Sequence, residues 1–338
     1  MRAWLESRVH HLWTSAWGPW LLWPLTALYA LILKTRALAI RSGLLGKPIA
    51  VGKPVIVVGN LTVGGSGKTP LTVWLVEWFT KYGLRVGVLS RGYGGRSRGP
   101  VWVTAASDPR EVGDEPVLIA KRTPALVCVA RARVAGALRL AEHVDVIVCD
   151  DGLQHWRLAR DLEWLVIDGR RRFGNGWLLP AGPLREPTRR VVDARVCNGG
   201  PAREDEWLMR LVPVEWVRLQ DHQAVPLAAL AGQSVKALAG MGDPERFFKT
   251  LEALELRVER HPLADHAPWA LAGNAAALSE VWVMTEKDAV KCPQDQPVGA
   301  HWYYLKVSAE LEGSALEAAQ AMLWGLWRLG GSYGPSHR

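Results

Sequence analysis

With 338 residues, the chain can bury one large core or two smaller ones, and a composition of 49% hydrophobic and 22% charged residues excludes an intrinsically disordered protein. The net charge of +8 would suit nucleic acid or an anionic membrane. Much of the excess lies in Met1–Ala50, where Arg2, Arg8, Lys34, Arg36, Arg41 and Lys47 face the single acid Glu6 beside apolar tryptophans, which disfavours nucleic acid.

The first element is Ala16 to Leu33, an uncharged run bracketed by basic residues. A straight crossing needs about 20 apolar residues. This run is shorter and interrupted by Pro19 and Pro24, so the expected arrangement is a helix lying in the interface. Trp13, Trp17 and Trp20 recur at helical spacing, with Trp4 and Trp23 nearby, and indole rings prefer the headgroup boundary. Two alternatives remain: a buried helix packed on the body, or a leader cleaved near Ala37-Leu38-Ala39. The phosphate loop that follows argues against export, because nucleoside triphosphate is cytosolic.

Val55 to Pro70, VIVVGNLTVGGSGKTP, is an apolar strand running into a glycine loop that ends Gly67-Lys68-Thr69. Successive backbone N–H groups in such a loop cradle phosphates, the lysine reaches the terminal phosphates and the threonine hydroxyl can ligate magnesium. A helix expected over Leu71 to Tyr82 adds the positive end of its dipole. The motif is imperfect. The strict spacing needs glycine at position 62, and this chain has Thr62 and Val63 before Gly64, Gly65 and Ser66.

A short strand, Arg85 to Leu89, then opens into a second glycine loop, Ser90-Arg91-Gly92-Tyr93-Gly94-Gly95. Ligands of parallel sheets collect beyond the carboxyl ends of strands, so Arg91 and Tyr93 are candidates beside the first loop. Gly113-Asp114-Glu115-Pro116 begins a helix, and on its own this acidic pair reads as a cap. The strand Val144 to Cys149 ends in Asp150-Asp151, where P-loop nucleotide sites hold their metal. The four cysteines, Cys128, Cys149, Cys197 and Cys292, lack the paired spacing of a zinc site or a redox dithiol, and a reducing cytosol is the simple reading.

Further on, Val235 to Leu238 and Val281 to Met284 read as strands, Pro244 to Ala253 as a helix, and Thr285-Glu286-Lys287-Asp288 as the start of another. Gly240-Met241-Gly242 lacks the full dinucleotide fingerprint, so no second cofactor is expected. A terminal helix from Ser314 to Leu329 is expected to return to the first unit. The fold class is therefore α/β: a P-loop NTPase-like, mostly parallel sheet with a second, smaller α/β domain and an N-terminal membrane-associated helix. The expected divisions are a membrane segment 1–48, a P-loop core 49–206, a smaller unit 207–307 and a C-terminal region 308–338.

The stretch CDDGLQHWRLARDLEWLVIDGRRRFGNGWLLPAGPLREP, Cys149 to Pro187, together with GNLTVGGSGKTP, SRGYGG, GDEP, GMGDPERFF, ADHAPW and MTEKDAVKC in order, resembles the tetraacyldisaccharide 4'-kinases, the lipid A 4'-kinases of Gram-negative bacteria. The resemblance spans essentially the whole chain. It implies transfer of the γ-phosphate of ATP to the 4'-hydroxyl of a tetraacyldisaccharide 1-phosphate, with Mg2+, at the cytoplasmic face of the inner membrane and with no required protein partner. It also implies that Asp114 is the catalytic aspartate with His266 as its partner, and that Lys68 serves the phosphates. By the same resemblance Thr62, Val63, Gly64, Gly65, Ser66, Gly67, Lys68, Thr69, Arg91, Tyr93, Glu115, Arg185 and Glu186 belong to the binding site, and Thr69, Asp150 and Asp151 hold the metal. The family often has two adjacent histidines where this chain reads Asp265-His266-Ala267. The alternative function is a membrane-recruited P-loop ATPase switch that phosphorylates no lipid. Such switches usually carry a lysine where this chain has Val63, and they leave the DDGLQH to LREP block unexplained.

Overall fold

The structure, a computed structural model, describes residues 12–15, 17–264, 279–292 and 298–330. Short, almost continuous apolar runs become strands buried on both faces, as parallel sheets covered by helices require. In the first half these are β1 (Val55–Gly59), β2 (Val86–Ser90), β3 (Val101–Val103), β4 (Leu126–Val129), β5 (Val146–Asp150), β6 (Leu162–Asp168) and β7 (Ala194–Asn198). The second half supplies β8 (Trp207–Arg218), β9 (Ala224–Val225), β10 (Ser234–Ala239), β11 (Arg257–Pro262), β12 (Trp282–Thr285) and β13 (Trp302–Leu311). Among the described residues these thirteen strands form one sheet, ordered β11-β10-β12-β13-β8-β7-β6-β1-β5-β2-β4-β3, with β9 on β8. The β3–β4, β8–β13 and β8–β9 pairs are antiparallel. The other pairs are parallel, so β1, β2 and β5 deliver their carboxyl ends to one edge.

The helices are α1 (Gly18–Arg41), α2 (Lys68–Lys81), α3 (Pro109–Val112), α4 (Asp114–Arg122), α5 (Arg133–Ala141), α6 (Pro244–Ala253), α7 (Glu286–Ala289) and α8 (Ser314–Gly330). One face of the first half is packed by α2 and α8 through Leu71, Leu75, Phe79 and Leu323, and the other by α5 through Ala137 and Leu140. Trp324 of α8 sits 5.3 Å from Trp78 and 4.7 Å from Tyr82, ring centre to ring centre. The second half has its own core around Trp216, Phe247, Phe248, Leu251 and Tyr303. The long pair β8–β13 joins the halves: β7 lies against the start of β8, and β12 against the start of β13.

Two boundaries differ from expectation for physical reasons. The helix after the phosphate loop begins at Lys68, not Leu71, because Pro70 falls in its first turn, where a missing N–H breaks no intrahelical bond. The N-terminal helix runs unbroken through Pro24 for 24 residues, about 36 Å, so the prolines do not shorten it. Its stretch Gly18–Ile40 is long and apolar enough to cross a membrane and only 6% of it is buried.

Contacts with the body nonetheless occur along much of α1. Trp20 meets Trp177 edge-on, Thr26 Oγ1 donates to Leu178 O and accepts from Ala181 N, Tyr29 Oη donates to Arg185 O, and Arg36 donates to Gln154 O. Trp17, Leu21, Trp23, Leu25, Leu28 and Leu31 are left exposed.

Candidate active site

The loop between β1 and α2 is shaped from outside. The carbonyl of Gly64 accepts from Asn60 Nδ2 at 3.1 Å, that of Gly65 from Arg171, and that of Ser66 from Asn198 Nδ2 at 2.9 Å. In a trans peptide the N–H of the next residue points opposite its neighbour's carbonyl, so the amides of Gly65, Ser66 and Gly67 are turned to the other side. Amides turned to one side in this way form a cradle that suits an anion. Gly67 sits at φ +92°, and a Cβ there would lie 2.1 Å from Asn198 Nδ2, so both conformation and space demand glycine. Thr62 and Val63 occupy a different setting. Thr62 bridges to Leu184 and Val63 N donates to Pro183 O at 2.9 Å, which ties the loop's start to the segment carrying Arg185.

At the end of β5, Asp150 is fully buried. Thr72 Oγ1 donates to its Oδ1 at 3.3 Å, while its Oδ2 is buried with no hydrogen-bond partner among the described residues. Burial foremost, then the charge of Glu115, pushes this carboxyl up to about 7 against the pull of Lys68. Asp151 is held in the left-handed region at φ +53°. Its carboxylate lies 3.7 Å from Lys68 Nζ and accepts from Arg185 Nη1 at 3.2 Å. Burial raises Asp151, but Lys68 and Arg185 together outweigh it and keep the carboxyl below its usual range. One aspartate is thus neutralised by protein cations, while the other has an orphan oxygen and a disfavoured charge. That is the environment a divalent cation repairs. Mg2+ is a cation usually held by one or two carboxylates plus phosphate oxygens.

Asp114, the first residue of α4, is buried, and its Oδ1 accepts from Glu115 N at 2.9 Å. Lys287 reaches both acids from the second half, 3.3 Å to Glu115 Oε1 and 4.0 Å to Asp114 Oδ2. Gly92 packs on Val112 and Gly113 on Tyr93 O so closely that a Cβ at either would lie under 3 Å from the facing carbonyl oxygen. This contact sets the Arg91–Tyr93 loop beside Asp114, with Arg91 and Tyr93 themselves exposed. Glu186 points elsewhere, pairing with Arg190, which also holds Glu163. His266 lies outside the described residues. His155 of the DDGLQH block is pushed down to about 4 by burial foremost and by Arg133, and is therefore neutral at pH 7.

A cleft of about 220 Å³ opens beside the cradle, with Gly65 to Thr69, Val73 and Trp74 on one wall and Met241, Gly242, Phe247 and Thr285 to Lys287 on the other. Lys68 lines this cleft and also faces Asp151, so it stands between the cavity and the acids. Polar contacts join the two walls: Arg171 bonds both Gly65 O and Gly242 O, and Arg246 Nη2 donates to Asn198 Oδ1 at 2.6 Å. Sequence reasoning missed Thr72, Arg171, Asn198, Arg246 and Lys287. Arg171, Arg246 and Lys287 fall in blocks it singled out, the Cys149–Pro187 stretch, GMGDPERFF and MTEKDAVKC; Thr72 and Asn198 fall in none of them.

Residues 18–323 match the model of a family described as tetraacyldisaccharide-1-P 4'-kinase. A tetraacyldisaccharide 4'-kinase of Aeromonas hydrophila is 50% identical over 313 residues, covering 90% of this chain and 91% of the relative. One of Methylobacillus flagellatus is 44% identical over 306 residues, covering 89% and 90%. A crystal structure of LpxK from Aquifex aeolicus, titled an "apo" form in complex with ATP, superposes with a TM-score of 0.77 at 30% identity, covering 91% of this chain and 99% of the other.

Proposed function

The chain belongs to the tetraacyldisaccharide-1-P 4'-kinase family, and from that premise we propose how its own residues carry out the reaction. The activity is that of an ATP-dependent 4'-kinase acting on the lipid A disaccharide precursor, giving the 4'-phosphorylated product. The observation that carries the residue assignment is Lys68, which lines the cleft beside the cradle and faces the strand-end acids behind it.

In this reading the cleft takes ATP, with its phosphates against the amides of Gly65, Ser66 and Gly67. Asp114 accepts the proton of the 4'-hydroxyl, assisted by His266. The hydroxyl oxygen bonds to the γ-phosphorus as the bond to the β–γ bridging oxygen breaks, and ADP leaves. Lys68 offsets charge on the transferring phosphoryl group, where electrostatic stabilisation supplies most of the rate. Thr69, Asp150 and Asp151 would hold Mg2+, which when bound neutralises phosphate charge; the orphan oxygen of Asp150 supports that fit. Arg185 fixes Asp151, while Arg91 and Tyr93 flank the acceptor's approach. The cores on either side of β8–β13 support units at 49–206 and 207–307 that share the cleft.

The same reading places α1 along the cytoplasmic face of the inner membrane as a monotopic anchor. Its docking from Trp20 to Arg36 supports this, because a spanning helix would take the body with it into the bilayer. The acceptor has four acyl chains, and at about 0.8 kcal/mol per buried methylene it stays in the lipid, so the kinase must come to it. The test is incorporation of label from γ-labelled ATP, with magnesium, into a tetraacyldisaccharide 1-phosphate presented in detergent. Labelled lipid is expected; lipid-independent ATP hydrolysis with unlabelled lipid would overturn the reading.

A further inference from the structure

The TEKD block supplies contacts that the reaction as described does not use. Thr285 Oγ1 accepts from Asp288 N at 3.1 Å and so caps α7. Asp288 in turn accepts from Gly240 N at 2.8 Å and pairs with Lys291 at 2.9 Å. Glu286 is almost buried and pairs with Arg122 at 2.7 Å, joining α7 to the C-terminal end of α4. These anchors fix a helix of only four residues against both halves. The remaining polar member, Lys287, is thereby aimed at the N-terminal end of α4, where it meets Asp114 and Glu115.

Its setting is chemically specific. The side chains of Asp114 and Lys287 retain only 6% and 18% exposure, so their attraction is weakly screened by solvent. Asp114, Glu115, Asp150 and Asp151 bring four carboxyl groups into one region, where Lys68 and Arg185 pair with Asp151 and Lys68 also offsets Asp150. Lys287 meets the other pair, and with Glu115 and Lys68 it lines the cleft.

We propose that Lys287 is a positioning residue for phosphoryl transfer: reaching from the smaller unit, its ammonium offsets the charge beside Asp114 and fixes that carboxylate's orientation towards the acceptor hydroxyl. The proposal rests on Asp114 being the base. It assigns the second half of the chain a part in the chemistry as well as in forming the cleft. A misplacement of about 1 Å in a reacting group can cost about 10²-fold in rate, so an orienting contact of this kind has a large kinetic lever.

The experiment is a double-mutant cycle on the full-length protein in detergent, with magnesium, labelled ATP and the lipid acceptor, read in single turnover so that slow variants remain measurable. Lys287→Ala is expected to lower the rate at least about tenfold, while affinity for a nonhydrolysable ATP analogue stays within about threefold. Lys287→Arg, which keeps the charge, is expected to recover most of the loss. In an Asp114→Asn background, Lys287→Ala should cost less than about twofold, because the group it orients is already gone. Thermal melting of each variant accompanies the rates, and Lys287→Met, which keeps the aliphatic stem, replaces the alanine variant if that one unfolds early. An unchanged rate in Lys287→Ala, or the full loss persisting in the Asp114→Asn background, overturns the proposal. An Asp114→Asn enzyme near wild type instead sinks the base assignment, so the two failures are distinguishable.

Discussion

The two walls of the cleft are built by different means. On the P-loop side, the groups proposed to meet phosphate are main-chain amides, and the acids sit at strand ends whose positions follow from the register of β1 on β5. On the opposite side, Arg246 and Lys287 act at the tips of long side chains standing on α6 and α7. Main-chain chemistry requires residues adjacent in sequence, so it leaves a motif. Side-chain reach requires only a fold that brings distant residues together, so single residues can serve and no motif need form.

The largest expected effect tests whether the P-loop wall carries the chemistry. Lys68→Ala removes the group between cleft and acids and strips Asp151 of one of its cations, so kcat/KM should fall by about 10²–10³-fold. A loss confined to KM for ATP would show that Lys68 serves binding only.

Next in size is Gly67→Ala, which sets the walls against each other. The methyl group would displace Asn198, the residue holding Ser66 O outward, in a backbone conformation that already disfavours an L side chain. Strain of about 1–3 kcal/mol and nucleotide binding weakened at least about tenfold are expected, by thermal melting and analogue titration. If binding is preserved, the cradle does not depend on its outer bracing.

These contacts mark what the sequence could and could not convey. The loop Gly64–Thr69, the Asp150-Asp151 end of β5 and the start of α4 were legible, because strand, turn and helix follow each other in the chain. Asn198 is 132 residues from its partner Ser66, and no local pattern announces such a pairing. Thr62 was read as a departure from the strict motif. Its bridge to Leu184 gives the physical reason: this position pairs with the Arg185 segment instead of turning back on phosphate. Pro19 and Pro24 do not break α1, since the first lies in its opening turn and the second removes a single bond from a continuing helix.

A third test concerns the acids alone, and its sign can be worked out. The Asp150 carboxyl stands at about 7 in the folded chain against an ordinary 3.8, so between those values the native state holds a proton that the unfolded state has lost. Its contribution to stability is full below about 3.8 and is lost as pH rises through about 7. Asp150→Asn removes that dependence. Without magnesium or nucleotide, the variant should melt a few degrees above wild type at pH 8, by roughly 2–4 °C, with about a third of that difference at pH 5 and none below about pH 3.8, while losing most activity. Equal differences at both pH values would mean that the buried charge of Asp150 is not the source.

The smallest expected effect asks whether the P-loop wall is self-sufficient or leans on the membrane helix. Arg185, which holds Asp151, has its own backbone fixed twice: its N–H donates to Leu61 O at 2.7 Å and its carbonyl accepts from Tyr29 Oη at 2.9 Å. Tyr29→Phe deletes only the second bond, worth about 1 kcal/mol, and leaves the apolar face of α1 intact. Sedimentation with lipid vesicles should therefore be unchanged, and ATP-analogue affinity should hold. Because Arg185 stays tied to Leu61, the rate on the lipid acceptor should fall by no more than about fivefold. A much larger fall would make Tyr29 a strut between α1 and the strand-end acids, and the P-loop wall would then depend on a side-chain tip just as the opposite wall does.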